Sequence, residues 1–294
     1  MIGTLSHETK VIVQGITGRM GRTHAALMCA YGTNIVGGTS TRSDTREAAG
    51  VPVFPNCAAA VAATGAVASV AMAPPMETLA AVREALTAGI KLIVTVAEGI
   101  PLHDAIAIGR SVHAVGATWI GGSTPGMAIP GEIKLGFLPD VCLRPGPLAI
   151  MSKSGTLSYE AGYRLAREGL GQSLWIGVGG DPVKGVRFAD LLPIFFADPR
   201  TAGIVLVGEI GGTEEEDCAE VYAQLGAQKP LYALIAGREA KEGVSMGHAG
   251  ALVFGETGTI WSKTQRLQDA GARVFDTVDG LIASCARDFA HLRT

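Results

Sequence analysis

Short runs of apolar and β-branched residues alternate with Ala- and Leu-rich stretches of helical length through nearly the whole chain. This alternation is typical of repeated βα units, which place their strands side by side in a parallel sheet. A proline-rich stretch interrupts the pattern between Gly122 and Pro147. The sequence therefore predicts an α/β protein of two domains joined by a connection.

The first series of elements predicts a Rossmann-like domain over residues 1–124. Its predicted strands are Lys10–Gln14, Asn34–Gly38, Val67–Met72, Leu92–Val96 and Thr118–Gly121, and its predicted helices include Met76–Ala88 and Leu102–Val115. Residues 125–147 form the predicted connection, because prolines and glycines replace the alternation there.

The second series, over residues 148–294, predicts a flavodoxin-like doubly wound domain. Its predicted strands are Leu148–Met151, Leu174–Val178, Ile204–Val207, Leu231–Ile235 and Arg273–Phe275. The predicted helices between them lie near Thr156–Glu168, Phe188–Phe196, Glu214–Leu225 and Ser262–Ala270.

Composition supports this picture and excludes several classes of function. A chain of 294 residues can bury two cores, and 48% hydrophobic residues with 40 glycines suit parallel strands covered on both faces. A formal net charge of -3 without a basic run predicts no nucleic-acid partner. No apolar run reaches the roughly 18 residues that span a bilayer, and the start MIGTLSHETK has no leader pattern. We therefore expect a cytoplasmic protein without membrane contact.

The five cysteines are scattered, with no C-x-x-C pair and no metal-like spacing to histidines. We expect reduced thiols and no metal site on this chain.

The segment VIVQGITGRMGRTH runs from a predicted strand into a predicted helix through glycines spaced G-x-x-G-x-x-G. Backbone N–H groups at such a turn and helix start can receive a phosphate. A turn needed only for strand–helix packing would also use glycines, but Thr17, Arg19 and Arg22 add donors and positive charge. The segment therefore predicts a nucleotide-type ligand.

The run G-R-M-G-R resembles both the NAD(P)H loop of dihydrodipicolinate reductases and the CoA loop of succinyl-CoA synthetases. The second predicted strand ends without the carboxylate that an NAD site normally shows. Arg42 and Arg46 follow, and they suit a ribose phosphate such as that of NADP or the 3′-phosphate of CoA. The loop alone leaves NADPH and CoA open.

Four segments of the second half follow predicted strands, at 154–156, 179–182, 209–212 and 247–251. Doubly wound sheets place their ligands at the carboxyl ends of the strands, so these segments are expected to converge. Ser154-Gly155-Thr156 opens a helix and can bind a dianion, although Ser and Thr are also ordinary helix caps.

His248 lies in a glycine-rich loop, where an imidazole is accessible for chemistry, although a solvent-facing histidine is the plain alternative. Glu209 follows a predicted strand and can hold one ring nitrogen, so that the other acts as nucleophile. Its plain alternative is a helix N-terminal acid, in line with Glu214, Glu215 and Glu216.

These segments together resemble a known family. QGITG, GTSTRSDTREAAGVPVF, VAEGIP, SKSGTLSYEAG, GVGGDPV, GEIGGTEEE and MGHAGA are similar, in order and spacing, to the α subunit of succinyl-CoA synthetase. The match covers almost the whole chain, and the combination of GGDP, EIGG and GHAGA is highly specific.

The resemblance implies an NTP-dependent carboxylate–CoA ligase that works through a phosphohistidine and an acyl phosphate. It implies an ATP-grasp β partner in an αβ or α2β2 assembly, with ATP or GTP and Mg on that partner, CoA on this chain, and a small dicarboxylate as substrate.

The resemblance also implies roles for individual residues. His248 carries phosphate, Glu209 orients it, and Ser154, Gly155 and Thr156 receive the phosphohistidine. CoA lies along ten residues, which are Thr17, Gly18, Arg19, Met20, Arg42, Ser43, Pro74, Val96, Ala97 and Glu98. Tyr159 and Thr124 are placed near the acyl group.

Two departures from the family pattern bear on specificity. Ser43 stands where the family usually has a lysine, and Arg42 beside it can supply the charge. GGSTPG at residues 121–126 replaces the usual G-P-N-C-P-G near the reacting thioester, which leaves room for malate or another dicarboxylate.

Two hypotheses from other classes stay open at this point. An NADPH-dependent reductase would use the G-R-M-G-R loop for hydride transfer by this chain alone. A non-catalytic CoA-binding regulator would keep the fold but would not phosphorylate His248.

Overall fold

A computed structural model describes residues 2–41, 45–238, 248–253 and 258–293 of the chain. The chain divides into two compact units, Met1–Leu138 with Val183–Gly185 and Pro139–Pro182 with Val186–Thr294. The domain limits at residues 124 and 147 stay a prediction.

The first unit contains a mostly parallel sheet with helices between its strands. The described strands are β1 (Val11–Gln14), β2 (Ile35–Thr39), β3 (Glu47–Ala48), β4 (Val51–Phe54), β5 (Ala68–Ala71), β6 (Leu92–Thr95), β7 (Thr118–Ile120), β8 (Gly126–Ile129) and β9 (Ile133–Gly136). The described helices are α1 (Arg19–Tyr31), α2 (Cys57–Thr64), α3 (Thr78–Thr87) and α4 (Leu102–Ala114).

The strand order in this sheet is β3-β4-β2-β1-β5-β6-β7, and all pairs are parallel except β3 with β4. Without the short β3, this is the 3-2-1-4-5-6 order of a Rossmann-like domain, which confirms the predicted fold class. Every residue of β1, β5 and β6 is buried, as expected for strands covered by helices on both faces.

β8 and β9 form an antiparallel hairpin inside the stretch that the sequence predicted as a connection. The sequence pattern does not predict these short strands, because prolines lie on both sides of them. Thr33 fixes β9, since its hydroxyl donates to the carbonyl of Lys134 and accepts from the same residue's N–H. The hairpin is thereby tied to the segment that leads into β2.

The second unit is built around a parallel sheet. Its described elements are β10 (Pro145–Ser152), α5 (Gly155–Arg167), β11 (Gln172–Gly177), α6 (Phe188–Ala197), β12 (Gly203–Glu209), α7 (Glu214–Gln224), β13 (Leu231–Ala236), α8 (Ile260–Asp269), β14 (Arg273–Phe275) and α9 (Val278–Asp288).

The parallel strands of this unit follow the order β14-β13-β12-β10-β11. This is the 2-1-3-4-5 order of flavodoxin-like domains read from the other edge, so this prediction is also confirmed. Ser152 lies opposite Gly177 on one side and Val207 on the other, and Glu209 lies opposite Ala236. The carboxyl ends of β10 and β11 are therefore level with Val207, and β12 and β13 extend two residues further.

Within the described ranges, no helix has the length and apolar character needed to cross a membrane.

Two helical glycines test how tightly the units are packed. A Cβ on Gly162 would lie 2.3 Å from the Trp175 ring, whereas a Cβ on Gly109 would meet nothing within 4 Å. We expect Gly162→Ala to destabilise the protein by about 1–3 kcal/mol through overpacking. Gly109→Ala is expected to stabilise it by about 0.5–1 kcal/mol through helix propensity. Thermal unfolding of the full chain measures both changes, and equal shifts for the two variants would contradict this packing.

Candidate functional site

The glycine loop after β1 is a tight turn that leads directly into α1. Gly15 has a φ of 74°, and a Cβ on Gly21 would lie 2.2 Å from the carbonyl oxygen of Gly15. Gly18 is the residue before α1 and makes no side-chain cap. Packing alone therefore requires two of these glycines, and the loop also presents the N-terminus of α1 as a phosphate-binding feature.

A cleft of about 590 Å³ opens over this loop. Five of the residues that the resemblance assigned to CoA line it, namely Thr17, Gly18, Arg19, Met20 and Pro74. The hydroxyl oxygens of Thr17 and Ser40 lie 2.6 Å apart, which fixes the loop against the segment after β2. Arg22 donates to the carbonyl of Thr17 at 3.4 Å, so this arginine braces the loop from within.

The remaining residues assigned to CoA are not all at this cleft. Val96, Ala97 and Glu98 follow β6 and are absent from the described lining. Arg42 and Ser43 lie outside the described residues.

The departure from the family pattern at residues 121–126 lies beside this second group. The N–H of Ser123 donates to the carbonyl of Ala97 at 2.8 Å. Thr124 is 1% exposed, and its hydroxyl accepts a hydrogen bond from the N–H of Gly126. Thr124 therefore stabilises the turn before β8, and its placement near an acyl group stays a prediction.

In the second unit, Ser154 caps α5 at the carboxyl end of β10. Its side chain accepts from the N–H of Leu157 at 3.3 Å, and its own N–H donates to the hydroxyl of Ser152 at 3.0 Å. Ser154, Gly155 and Thr156 thus form a helix start after a strand, as predicted. Such a start carries partial positive charge and can hold a dianion.

His248 and Glu209 are in direct contact. The Nδ1 atom of the imidazole lies 2.6 Å from Oε2 of Glu209, and the two side chains are 29% and 9% exposed. A carboxylate on Nδ1 selects the tautomer in which Nδ1 carries the proton and Nε2 the lone pair. The predicted pairing of these residues is present, and Glu209 is the last residue of β12 rather than a helix N-terminal acid.

The glycines around His248 are required by close approach. A Cβ on Gly180 would lie 2.7 Å from Cγ and Nδ1 of the imidazole, so only glycine leaves room for the ring. Gly211 has a φ of 86°, and a Cβ there would lie 2.3 Å from the carbonyl oxygen of Gly250. The N–H of Gly250 in turn donates to the carbonyl of Gly180 at 3.3 Å. The GGDP, EIGG and GHAGA segments therefore do converge.

A buried group of charges behind Glu209 was missed by the sequence analysis. Lys153 and Lys263 both contact Glu215, and the side chains of Lys263 and Glu215 are completely buried. The carboxylate of Glu214 lies 3.5 Å from Lys153 and is also buried. Glu214 and Glu215 do lie in the first turn of α7, as the sequence indicated, but no local signal showed that two distant lysines approach them.

The lysines govern the ionisation of Glu215. Burial alone would raise the pKa of Glu215, but Lys153 and Lys263 outweigh it and lower the pKa overall. Burial alone would lower the pKa of Lys153, but the attraction of Glu215 and Glu214 outweighs it, so the pKa of Lys153 is raised overall. Glu215 and Lys153 are therefore both ionised at neutral pH.

Tyr159 lies in the second turn of α5, with its ring 6.3 Å from that of Trp175. Burial raises the pKa of Tyr159 to about 12, so it is a neutral phenol. Its assignment to the acyl group stays a prediction.

The ionised Glu215 predicts a pH-dependent stability. Because its pKa is lower in the folded state, its stabilisation is present above its ordinary value of 4.5 and is lost as pH falls below it. Glu215→Gln should destabilise the protein by about 3–5 kcal/mol at pH 7, because two buried lysines lose the carboxylate that they share. The difference in the free energy of unfolding between this variant and wild type should become smaller as pH falls below 4.5.

Urea unfolding at pH values from about 3.5 to 7 measures this difference in the free energy of unfolding. Glu160→Gln is the control, because that carboxylate is 50% exposed and pairs with Arg164 of the same helix. It should cost less than about 0.5 kcal/mol at any pH. If the destabilisation caused by Glu215→Gln stays the same at every pH, Glu215 is not ionised in the folded protein.

Comparison with known proteins finds matches in both halves of the chain. Family models match at residues 6–99, as a CoA binding domain, and at residues 151–273, as a CoA-ligase. A succinate–CoA ligase [ADP-forming] subunit alpha from Archaeoglobus fulgidus is 44% identical, over 96% of this chain and 97% of its own length. The alpha subunit from Aquifex aeolicus is 43% identical over 92% of this chain and 90% of its own length.

Relatives with other activities are also similar. A subunit of an ADP-forming sulfoacetate–CoA ligase from Bilophila wadsworthia is 42% identical over 91% of this chain and 92% of its own length. ATP citrate lyase from Methanosaeta concilii superposes with a TM-score of 0.88 at 22% identity, over 98% of this chain and 50% of that chain. This last likeness shows a shared fold only.

These similarities give no support to the reductase hypothesis. The identities to curated subunits extend over nine-tenths of the chain and include both matched domains. The protein belongs to the family of succinate–CoA ligase [ADP-forming] alpha subunits.

Proposed function

We propose that this chain is the subunit of an ADP-forming carboxylate–CoA ligase that binds CoA and carries phosphate on His248. The observation that supports this best is the 2.6 Å contact between Nδ1 of His248 and Glu209. An ionised carboxylate there stabilises the positive charge that the imidazole acquires when Nε2 attacks a phosphoryl group. A non-catalytic regulator would have no need of this contact.

The reaction proceeds in three balanced transfers. Nε2 of His248 forms a bond to the terminal phosphorus of the nucleoside triphosphate, and the nucleoside diphosphate leaves. A carboxylate oxygen of the acid then takes the phosphoryl group and regenerates the imidazole. The CoA sulfur, having lost its proton, attacks the acyl carbon, and inorganic phosphate leaves as the thioester forms.

Residues of this chain contribute electrostatic stabilisation to these steps. The helix start at Ser154, Gly155 and Thr156 offers backbone N–H groups and partial positive charge to the phosphohistidine. Glu209 keeps the imidazole in one orientation through the transfer.

The cleft over the glycine loop suits the nucleotide part of CoA. It combines the bare N-terminus of α1 with the exposed Arg19 and the hydroxyl of Thr17. Arg42, Ser43, Val96, Ala97 and Glu98 complete the proposed CoA path as implied by the family resemblance.

The partner and the acid are further parts of the proposal. An ATP-grasp β subunit would hold Mg and ATP or GTP, in an αβ or α2β2 assembly in the cytoplasm. Succinate is the leading substrate, because curated relatives are named for it. Malate is the alternative, and the sulfoacetate relatives suggest that a short acid with a second anionic group is the general class.

Phosphate labelling tests the proposal. The chain, combined with an ATP-grasp β subunit and [γ-32P]ATP, should acquire acid-labile label on His248. His248→Ala should abolish the label, and Glu209→Gln should slow its formation by about 100-fold. His103→Ala is the matched control, since this exposed histidine on α4 should have no effect. Label that persists in His248→Ala would overturn the proposal.

A further inference from the structure

The buried charges behind Glu209 form a Lys–Glu–Lys cluster, defined by Lys153, Glu215 and Lys263. Nζ of Lys153 lies 2.9 Å from Oε1 and 3.1 Å from Oε2 of Glu215. Nζ of Lys263 contacts the same carboxylate from another direction. At most 6% of any of these side chains is exposed.

This cluster is attached to the turn that carries Glu209. Oε1 of Glu215 accepts the backbone N–H of Glu209 at 3.0 Å. A Cβ on Gly208 would lie 2.6 Å from that same oxygen, so the carboxylate fills the space beside the strand end. Lys263 donates to the carbonyl of Gly212 at 3.0 Å. The cluster therefore holds both ends of the 208–212 turn.

Lys153 connects this turn to the start of α5. Its backbone N–H donates to the carbonyl of Val207 at 3.0 Å, and Ser154, the cap of α5, follows it directly. Among the charges that act on Lys153 is Glu209 itself. Since Coulomb attraction is mutual, the ammonium of Lys153 also attracts the carboxylate that holds His248.

Stability alone gives little reason to keep such a cluster. Buried ion pairs are often no more stable than apolar side chains of similar volume, because desolvation offsets their attraction. Their well-supported benefit is to fix one arrangement of the groups around them.

We propose that Lys153 is a positioning residue, which acts through Glu215 and Glu209 to hold His248 in its phosphate-accepting orientation. This inference rests on the function proposed above. Lys153 itself does not contact the reacting atoms in this account. Its loss should therefore slow phosphorylation without weakening CoA binding, since the CoA cleft is formed by residues of the first unit.

Two variants test this role. Lys153→Met removes the ammonium but leaves Glu215 paired with Lys263, and the carboxylate of Glu214 still accepts the N–H of Phe188. Lys153→Gln keeps an N–H donor toward Glu215 and covers the case in which the Met variant fails to fold. Lys229→Met is the control, because Lys229 donates to the carbonyls of Phe195 and Asp198 and precedes the amino end of β13, whereas Glu209 lies at the carboxyl end of β12.

The first measurement is the rate of His248 labelling in the complex with the β subunit. We expect both Lys153 variants to slow labelling by about 10- to 100-fold, with unchanged final extent and unchanged KM for CoA. Lys229→Met should label at the wild-type rate. A folded Lys153 variant that labels as fast as wild type would overturn the inference.

The second measurement determines the tautomer of the His248 imidazole. In the 15N-histidine-labelled full chain, His248 should show one tautomer with the proton on Nδ1, and a Lys153 variant should lose that preference. An unchanged tautomer in the variants would contradict the positioning role. Absence of label in the wild-type complex would instead overturn the proposed function, so the two failures are distinguishable.

Discussion

The hydrogen bond between Glu209 and Nδ1 of His248 is the contact on which the site of the second unit depends. It requires a histidine from a loop beyond β13 to meet the last residue of β12. The carboxyl ends of β12 and β13 supply that meeting point, since Glu209 lies directly opposite Ala236 in the register. A shift of one residue would turn Glu209 to the other face of the sheet.

Close backbone approach is the second constraint, and it explains much of the glycine content. Gly180 leaves space for the imidazole, Gly211 for the backbone at Gly250, and Gly208 for the carboxylate of Glu215. Each position would place a Cβ less than 3 Å from a neighbouring atom. The glycines of GGDP and EIGG therefore shape the surroundings of His248 rather than serve only as flexible turns.

The sequence predicted both sheets and most of their strands, because buried parallel strands leave long apolar runs between helical stretches. It also predicted the pairing of Glu209 with His248 and the helix start at Ser154, since loops at the same strand ends must meet. The sequence did not predict which charged side chains are buried. Lys153 and Glu215 are 62 residues apart, and only the packed sheet brings them together. The β8–β9 hairpin was missed for a local reason, because prolines concealed its strands.

In the proposed function, Glu209 occupies Nδ1 of His248 and so directs phosphate to Nε2. The isomer of phosphohistidine measures this most directly. Alkaline digestion of the phosphorylated complex, followed by separation of the two isomers, should yield phosphate on Nε2. Phosphate on Nδ1 would contradict the account, because that nitrogen could not then bond to Glu209.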